Sequence, residues 1–257
     1  MTNIISIANQ KGGVGKTTTA INLAASLGVY KKRVLLVDCD PQGNATMGSG
    51  VDKNKCSLTL YEAITFKNSI KDVIKSKPSG NFDVLPANRN LVAGEVELMQ
   101  SDSRETALKR NFDLVTELYD YIVIDCPPTL NLLTINALVA SKGVIIPMQC
   151  EYFSLEGLAD LNTTIEQISS LLNKELKIQG ILRTMYDPRN SLTNAVSAQL
   201  REYFGSKMYR SSIPRNVRLA EAPSHGLPAY FYDKNSKGSL AYLALAGEIL
   251  KYEKMET

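Results

Sequence analysis

Five mainly apolar runs divide the chain and predict the strands of one buried sheet. They occupy residues 4–8, 34–37, 121–124, 144–147 and 176–185. Runs without the apolar–polar alternation of a half-exposed strand are typical of strands covered on both faces. Because helical patterns separate them, the sequence predicts an α/β protein with a doubly wound, mostly parallel sheet and right-handed crossovers.

Apolar residues at helical spacing fill the intervals between these strands. The expected helices cover residues 19–27, 57–65, 68–75, 91–99, 105–119, 130–140, 155–172 and 240–250, with a short strand at 82–85 and a polar tail at 251–257. The apolar stripe of the helix over 155–172 indicates core or dimer packing rather than contact with a cofactor.

The first predicted strand leads into a glycine-rich segment, Asn-Gln-Lys-Gly-Gly-Val-Gly-Lys-Thr-Thr at residues 9–18, and a helix is expected to follow. This order is typical of a phosphate-binding loop, because glycines let backbone N–H groups converge on phosphate oxygens at the positive end of a helix. We expect Lys16 to reach the β- and γ-phosphates and Thr17 to complete a Mg²⁺ shell. A glycine turn without a ligand is the alternative. The predicted nucleotide-binding residues of the loop are Gly12, Gly13, Val14, Gly15, Lys16, Thr17 and Thr18.

Two of the later strands end in carboxylates. Asp38 and Asp40 close the strand at 34–37, and Asp125 closes the strand at 121–124. Open α/β sheets bind ligands at the carboxyl ends of their strands. We therefore expect one aspartate of the first pair to serve the Mg²⁺ shell and the other to orient or deprotonate water, while Asp125 holds Mg²⁺ through a water molecule. An Asp-Pro turn and helix cap is the alternative for the first pair.

The composition is that of a globular chain with one sizeable core, since 44% of its 257 residues are hydrophobic and 21% are charged. The sequence shows no leader peptide and no apolar run long enough to span a membrane. The cysteines form no C-x-x-C pair, which disfavours a zinc knuckle or a disulfide scaffold and fits reduced thiols in the cytosol. They are Cys39, Cys56, Cys126 and Cys150.

Charge is concentrated in one segment. The formal net charge of the chain is +3, whereas residues 183–218 carry seven basic and two acidic residues, a net of +5, which leaves −2 for the rest. Such clustering suits a surface that binds the phosphate backbone of a nucleic acid, with an affinity that falls as salt rises. From composition alone, an ordinary basic face is an equally good interpretation. The basic residues are Arg183, Arg189, Arg201, Lys207, Arg210, Arg215 and Arg218, and the acidic ones are Asp187 and Glu202.

Four segments in order resemble those of the ParA/MinD ATPases. Lys-Gly-Gly-Val-Gly-Lys-Thr-Thr at 11–18 resembles the deviant Walker A box, and Val-Asp-Cys-Asp-Pro-Gln-Gly-Asn at 37–44 resembles the Walker A′ box. Asp-Cys-Pro-Pro at 125–128 is similar to the Walker B and switch region, and Ile-Pro-Arg-Asn-Val-Arg at 213–218 to the loop over the adenine. The resemblance covers almost the whole chain.

The resemblance implies roles for individual residues. Lys11 would act catalytically in trans, reaching the phosphates of a partner subunit, so that ATP is sandwiched in a homodimer, and Asp40 would be needed for hydrolysis. Pro214 and Asn216 would line the adenine, although residues 213–216 by themselves indicate only a strand end with a turn. The arginines implied to bind DNA nonspecifically are Arg189 and Arg218, with the neighbouring Arg215 as a further candidate.

The leading hypothesis is a ParA/Soj-type ATPase that segregates chromosome or plasmid DNA. The family mechanism implies a cytoplasmic, nucleoid-associated protein whose ATP-bound dimer binds double-stranded DNA and is released when a ParB-type partner stimulates hydrolysis. We expect one ATPase domain over residues 1–257, without the N-terminal helix-turn-helix domain of larger plasmid ParA proteins.

Other functions share the nucleotide loop. A MinD-like regulator of division at the membrane surface needs a basic amphipathic helix at the C-terminus, but residues 250–257 are of mixed charge with little apolar face. A reductase resembling the nitrogenase iron protein needs cluster-binding cysteines, and neither Cys126 nor Cys150 has the expected setting. A small-molecule kinase would not explain Lys11.

Overall fold

A parallel sheet runs through the centre of the protein. The computed structural model describes residues 2–151 and 154–256, and within these ranges seven strands pair in parallel in the order β3-β2-β4-β1-β5-β6-β7. The strands are β1 Asn3–Ile7, β2 Val34–Asp38, β3 Asp83–Leu85, β4 Tyr121–Asp125, β5 Gly143–Gln149, β6 Lys177–Tyr186 and β7 Met208–Pro214. The predicted α/β class and parallel sheet are confirmed.

Helices cover both faces of this sheet. They are α1 Lys16–Val29, α2 Asn44–Gly48, α3 Leu60–Ile64, α4 Ile70–Val73, α5 Leu91–Leu98, α6 Ala107–Phe112, α7 Leu132–Ala140, α8 Ser154–Leu171, α9 Ser191–Phe204, α10 Val217–Glu221, α11 Ala229–Tyr232 and α12 Lys237–Glu256. Within residues 2–151 and 154–256, none of them is long and apolar enough to cross a membrane.

The continuous apolar runs arise because successive strand residues enter two different cores. Ile4 packs with α7 and α8 in the core on one face, whereas Ile5 and Ile7 pack with α1 and α12 in the core on the other. Alternate positions of a strand point to opposite faces, so a strand buried on both sides must be apolar at nearly every position.

Several sequence-based boundaries are wrong. The expected strands include the end of β7 at residues 213 and 214 but leave out the rest of this edge strand, in which Arg210 and two serines interrupt the apolar pattern. Helix α9 was not expected because few of its residues are buried. The helix expected over 105–119 ends at Phe112, and a separate 3₁₀ turn follows at Thr116–Leu118. The tail expected from residue 251 continues α12 as far as Glu256.

The topology brings three strand ends to one place. Strand β4 lies between β2 and β1, with Asp125 paired in register with Asp38 on one side and with Ile7 on the other. The glycine loop leaves the end of β1, so it lies at the same edge of the sheet as the two aspartates. This edge is therefore where the candidate site is found.

Candidate functional site

The glycine loop between β1 and α1 has an open backbone. Gly13 and Gly15 have φ of +73° and +89°, a left-handed conformation that favours glycine. A Cβ added at Gly12 or Gly13 would meet no atom within 4 Å. Because no side chain caps the N-terminus of α1, its first N–H groups are available to phosphate oxygens.

Polar side chains from the neighbouring strand ends fasten this loop. Asn9 donates to the carbonyl of Pro147 at 2.8 Å and accepts from the backbone N–H of Lys11 at 2.9 Å. Thr184 donates to the carbonyl of Val14 at 2.8 Å. The side chain of Gln149 donates to the carbonyl of Gly13 at 3.1 Å. The sequence did not identify Asn9, Gln149 or Thr184 as site residues. Each is a polar residue near the end of a strand, and this feature could have indicated them.

The two lysines of the loop lie in different surroundings. Lys16 is only 7% exposed, and its Nζ donates to the carbonyl of Lys11 at 2.9 Å. Burial lowers the pKa of Lys16, and the charge of Asp125 opposes this effect. The Lys11 side chain is instead about half exposed and forms an ion pair with Glu151 at 2.7 Å. Lys16 is therefore directed into the loop, whereas Lys11 is open to solvent.

Asp38 is fully buried and firmly held. Its Oδ2 accepts from the backbone N–H of Thr46 at 2.7 Å and from the Thr46 hydroxyl at 2.6 Å, while its Oδ1 accepts from the N–H of Asp40. Burial raises the pKa of Asp38 to about 6 in spite of these hydrogen bonds. Thr46 thus fixes the carboxylate beside the neighbouring strand end.

Asp125 differs because neither of its buried carboxylate oxygens has a hydrogen-bond partner. Burial, and then the charge of Asp38, raise the pKa of Asp125 well above its ordinary value. The nearby Thr17 hydroxyl, which does not reach good hydrogen-bond geometry, and Lys16 oppose the shift. Buried oxygens without a well-formed hydrogen bond are costly and call for an explanation such as a bound ion. They fit Mg²⁺, a cation that takes one or two carboxylates and completes its shell with hydroxyl, phosphate and water oxygens.

Asp40 lies at the mouth of the site. Its side chain is half-buried, and its Oδ1 accepts from the N–H of Gln42 at 2.8 Å. Two residues before it on the chain, Asp38 is completely enclosed. Of these two aspartates, Asp40 is the one that water can reach.

The end of β7 lies beyond β6, on the far side of the strand that carries Thr184. Pro214 is the last residue of β7 and pairs in register with Tyr186 of β6. Asn216 follows it, with a buried Oδ1 that has no hydrogen-bond partner. The predicted adenine residues therefore include a buried acceptor for which the described residues supply no donor.

The predicted basic residues do not all share a surface. Arg183 is only 6% exposed and donates to the Ser197 hydroxyl and to the carbonyls of Tyr209 and Arg210, so it joins β6 to α9 and β7. It does not belong to the exposed basic set.

The three arginines singled out for DNA lie just past the ends of β6 and β7. Arg189 follows β6, while Arg215 and Arg218 follow β7. Because these strands are neighbours and end in register at Tyr186 and Pro214, the arginines share the edge of the sheet that holds the glycine loop.

A cavity of about 550 Å³ lies at the opposite edge of the sheet. Its lining includes Thr2, Arg33 and Lys142, which stand at the amino ends of β1, β2 and β5. None of the predicted site residues lines it. The candidate site is therefore separate from this cavity.

Comparison with known proteins gives consistent matches over nearly the whole chain. A family model described as an AAA domain matches residues 2–178. The chain is 51% identical to the sporulation initiation inhibitor protein Soj of Bacillus subtilis (strain 168), over 97% of this chain and 98% of that protein. It is 48% identical to the chromosome partitioning protein ParA of Myxococcus xanthus (strain DK1622), over 96% of this chain and 88% of that protein.

A solved structure also matches closely. The cobyrinic acid a,c-diamide synthase from Mycobacterium smegmatis, with bound ADP and magnesium, has a TM-score of 0.88 and 33% identity. The match covers 100% of this chain and 97% of that one. The fold is therefore shared along its full length with a nucleotide-binding enzyme.

Proposed function

This chain belongs to the ParA/Soj family of chromosome-partitioning ATPases, and on that premise we propose that it couples ATP hydrolysis to the partition of chromosome or plasmid DNA. The observation that carries the proposal is the opposite placement of the two loop lysines. Lys16 is buried within its own loop, whereas Lys11 is exposed and available to a nucleotide held by a second copy. Residues 1–257 would form one ATPase domain.

ATP and Mg²⁺ are the cofactors. The backbone of residues 12–18 binds the phosphates, and Lys16 contacts the β- and γ-phosphates. Thr17, Asp125 and Asp38 would hold Mg²⁺. The bound ion neutralises phosphate charge and polarises the bond that is cleaved. Support comes from Asp125, whose carboxylate oxygens are buried and unpaired.

Asp40 orients the attacking water and accepts its proton. It is half-buried and lies beside the enclosed Asp38, so it is accessible to a water molecule near the γ-phosphate. Hydrolysis is slow while that water is poorly positioned, and a ParB-type partner accelerates it by completing the arrangement.

Lys11 acts across a homodimer. In the single chain its ammonium is paired with Glu151, and both side chains are substantially exposed. Exposed ion pairs of this kind contribute only about 0–1 kcal/mol. The triphosphate of a second copy, with several negative charges, would therefore displace Glu151 from Lys11 readily.

Asn216 selects the base. Its buried, unpaired Oδ1 accepts a hydrogen bond from the exocyclic amino group of adenine. Guanine has a carbonyl oxygen at the equivalent ring position, which would leave two acceptors facing one another. Pro214 packs against the base beside it.

The basic edge binds DNA without sequence preference. Arg189, Arg215 and Arg218 contact phosphates of double-stranded DNA, so affinity falls as salt rises. Release follows hydrolysis, and the protein is cytoplasmic and nucleoid-associated. The MinD-like alternative is less well supported, because the last described turns of α12 carry both Lys251 and Glu253 rather than a basic amphipathic face.

The test is retention on nonspecific double-stranded DNA with ATP, with ADP and without nucleotide, at two salt concentrations. We expect salt-sensitive binding with ATP alone. Asp40→Ala should keep this binding because it blocks only hydrolysis, and Arg218→Ala should weaken it. Arg33→Ala is the matched control, since Arg33 is an exposed, ion-paired arginine at the opposite edge of the sheet.

Three outcomes would contradict the proposal. Binding that is equally weak in all three nucleotide states would show that the protein does not bind DNA in response to ATP. Binding to liposomes with ATP, in place of DNA, would favour the membrane regulator. Equal losses from Arg218→Ala and Arg33→Ala would show that net charge, not the proposed face, governs binding.

A further inference from the structure

Two of the three arginines proposed to bind DNA are already paired with carboxylates of the same chain. Arg189 donates from Nε and Nη2 to the two oxygens of Asp187, at 2.9 and 2.7 Å. This is a bidentate fork, the geometry with which arginine also binds phosphate. The Asp187 carboxylate therefore occupies the donors that a phosphate would use.

Two carboxylates pair with Arg218. Its Nη1 donates to Glu221 at 2.8 Å, and its Nε lies 3.4 Å from a carboxylate oxygen of Asp233. The guanidinium carbon lies 5.9 Å from the ring of Tyr232, whose hydroxyl donates to Glu221 at 3.3 Å. The arginine side chain nevertheless remains 48% exposed, so a ligand can approach it.

Arg215 provides the contrast. It is exposed and follows the last residue of β7, three positions before Arg218 in the sequence. Within the described ranges it has no ion pair, whereas Arg189 and Arg218 do. The basic edge thus holds one uncompensated arginine and two compensated ones.

The geometry points to Asp187, Glu221 and Asp233 as carboxylate clamps that compete with phosphate for Arg189 and Arg218. The inference rests on the proposed DNA-binding function and assigns the residues that limit its strength. A clamped arginine gains a phosphate only by giving up its carboxylate, which stays nearby and repels the phosphate. Because exposed ion pairs are weak, each clamp lowers the affinity by about 5-fold at most, which favours release of the bound state.

The salt dependence of binding reports this competition directly. An arginine with no partner releases about one counterion per phosphate contact, so log K changes by roughly −0.9 per tenfold rise in salt. A clamped arginine contributes less, because added salt also weakens the ion pair that competes with the phosphate. Removing a clamp should therefore both tighten binding and steepen its salt dependence.

The experiment uses Asp187→Asn and Glu221→Gln in the full chain. Affinity for a short duplex of arbitrary sequence is measured by fluorescence anisotropy with a non-hydrolysable ATP analogue, at about 50 and about 200 mM salt. Glu202→Gln is the matched control, since Glu202 is exposed in the same basic segment and lies on α9, outside both clamps. It makes the same change of net charge without freeing an arginine.

We expect each clamp variant to bind more tightly than Glu202→Gln. Between the two salt concentrations, its affinity should fall roughly 3-fold more than that of the wild type for each arginine freed. In an Arg218→Ala background, Glu221→Gln should give no gain beyond that of Glu202→Gln. Circular dichroism and binding of the ATP analogue establish that each variant is folded.

Equal affinity and equal salt slope for clamp variants and control would overturn the inference, as would a gain from Glu221→Gln that survives Arg218→Ala. Asp187 lies in an exposed turn, so Asp187→Asn tests the idea even if Glu221→Gln does not fold. If a clamp variant binds DNA and the wild type does not, the carboxylates prevent binding by the wild type altogether, which supports the inference. If no variant binds, the DNA function fails and the clamp fails with it.

Discussion

Asp38 and Asp125 are register partners on the neighbouring strands β2 and β4, and both carboxylates are wholly buried. Asp38 is held by hydrogen bonds from Thr46, whereas Asp125 has none. Two carboxylates so close together in a protein interior disfavour simultaneous ionisation. The two carboxylates therefore repel one another, and a bound cation such as Mg²⁺ would relieve the repulsion.

The burial and repulsion of these carboxylates predict how the stability of the nucleotide-free protein changes with pH. Burial raises the folded-state pKa of Asp38 to about 6, above its ordinary value of 3.8, and that of Asp125 shifts in the same direction. The folded protein then binds protons more tightly than the unfolded chain, so its free energy of unfolding should rise as the pH falls from about 8 to about 5. Urea denaturation at several pH values measures this.

Asp125→Asn serves as the control for this prediction. At about pH 8 it should stabilise the nucleotide-free protein by on the order of 1 to 3 kcal/mol, because an amide replaces an unpaired buried charge. It should also flatten the pH dependence and abolish Mg²⁺-dependent nucleotide binding. A variant less stable than the wild type, or with an unchanged pH profile, would show that the carboxylate pair does not cause the pH dependence of stability.

The glycine loop gives a second prediction, based on two neighbouring residues. Gly12→Ala should leave the free energy of unfolding within about 0.5 kcal/mol of the wild type, because Gly12 lacks a positive φ and an added Cβ would meet no atom within 4 Å. Gly13→Ala should cost about 1–2 kcal/mol more, since Gly13 has a φ of +73°.

Gly12→Ala should lower the affinity for nucleotide although it leaves stability nearly unchanged. The added methyl group at Gly12 would occupy space through which a phosphate approaches the backbone N–H groups, so Gly12→Ala should weaken ATP binding at least tenfold. Calorimetric titration with ATP and Mg²⁺ measures the loss. Unchanged affinity in a folded Gly12→Ala protein would mean that the phosphates do not contact the loop here.

A third prediction concerns the choice of base. Asn216→Ala removes a buried acceptor that has no partner among the described residues, so ATP affinity should fall about 5- to 10-fold, the effect of one hydrogen bond to a ligand. Affinity for GTP should change little or improve, since guanine has no amino group at that ring position. Titration with both nucleotides provides the internal control, and equal losses for the two would contradict base selection by Asn216.

The fold was largely predictable because burial on both faces leaves a strong pattern in the strands. Ile4 and Ile5 face different cores and are both apolar, so β1 is recognisable from its sequence. The edge strand β7 has only part of its surface covered and carries Arg210, so the same reasoning missed all but its end. Pattern-based prediction was most successful where both sides of an element are buried.

The site was less predictable because its supporting contacts are long-range. Thr184 reaches Val14 from 170 positions away in sequence, and Gln149 reaches Gly13 from 136 positions away. No local spacing marks such residues. The pairing of Arg218 with Asp233 is likewise a consequence of the fold, so counting charges did not indicate which arginines are compensated.

Thr184 provides the last prediction, because it links β6 to the phosphate loop through one buried hydrogen bond. Thr184→Val keeps the shape of the side chain but leaves the Val14 carbonyl without its donor, which should cost about 1–3 kcal/mol of stability. The loop should lose its fixed conformation, and ATP affinity should fall with it.

Thr19→Val is the matched control. Thr19 is also fully buried, and its hydroxyl bonds to Tyr242 of α12 rather than to the loop. It should lower the free energy of unfolding by a similar amount and leave ATP affinity unchanged, as measured by urea denaturation and calorimetry. If the two variants weaken ATP binding equally, general destabilisation explains the effect. A selective loss in Thr184→Val would instead show that β6 holds the loop in its binding conformation.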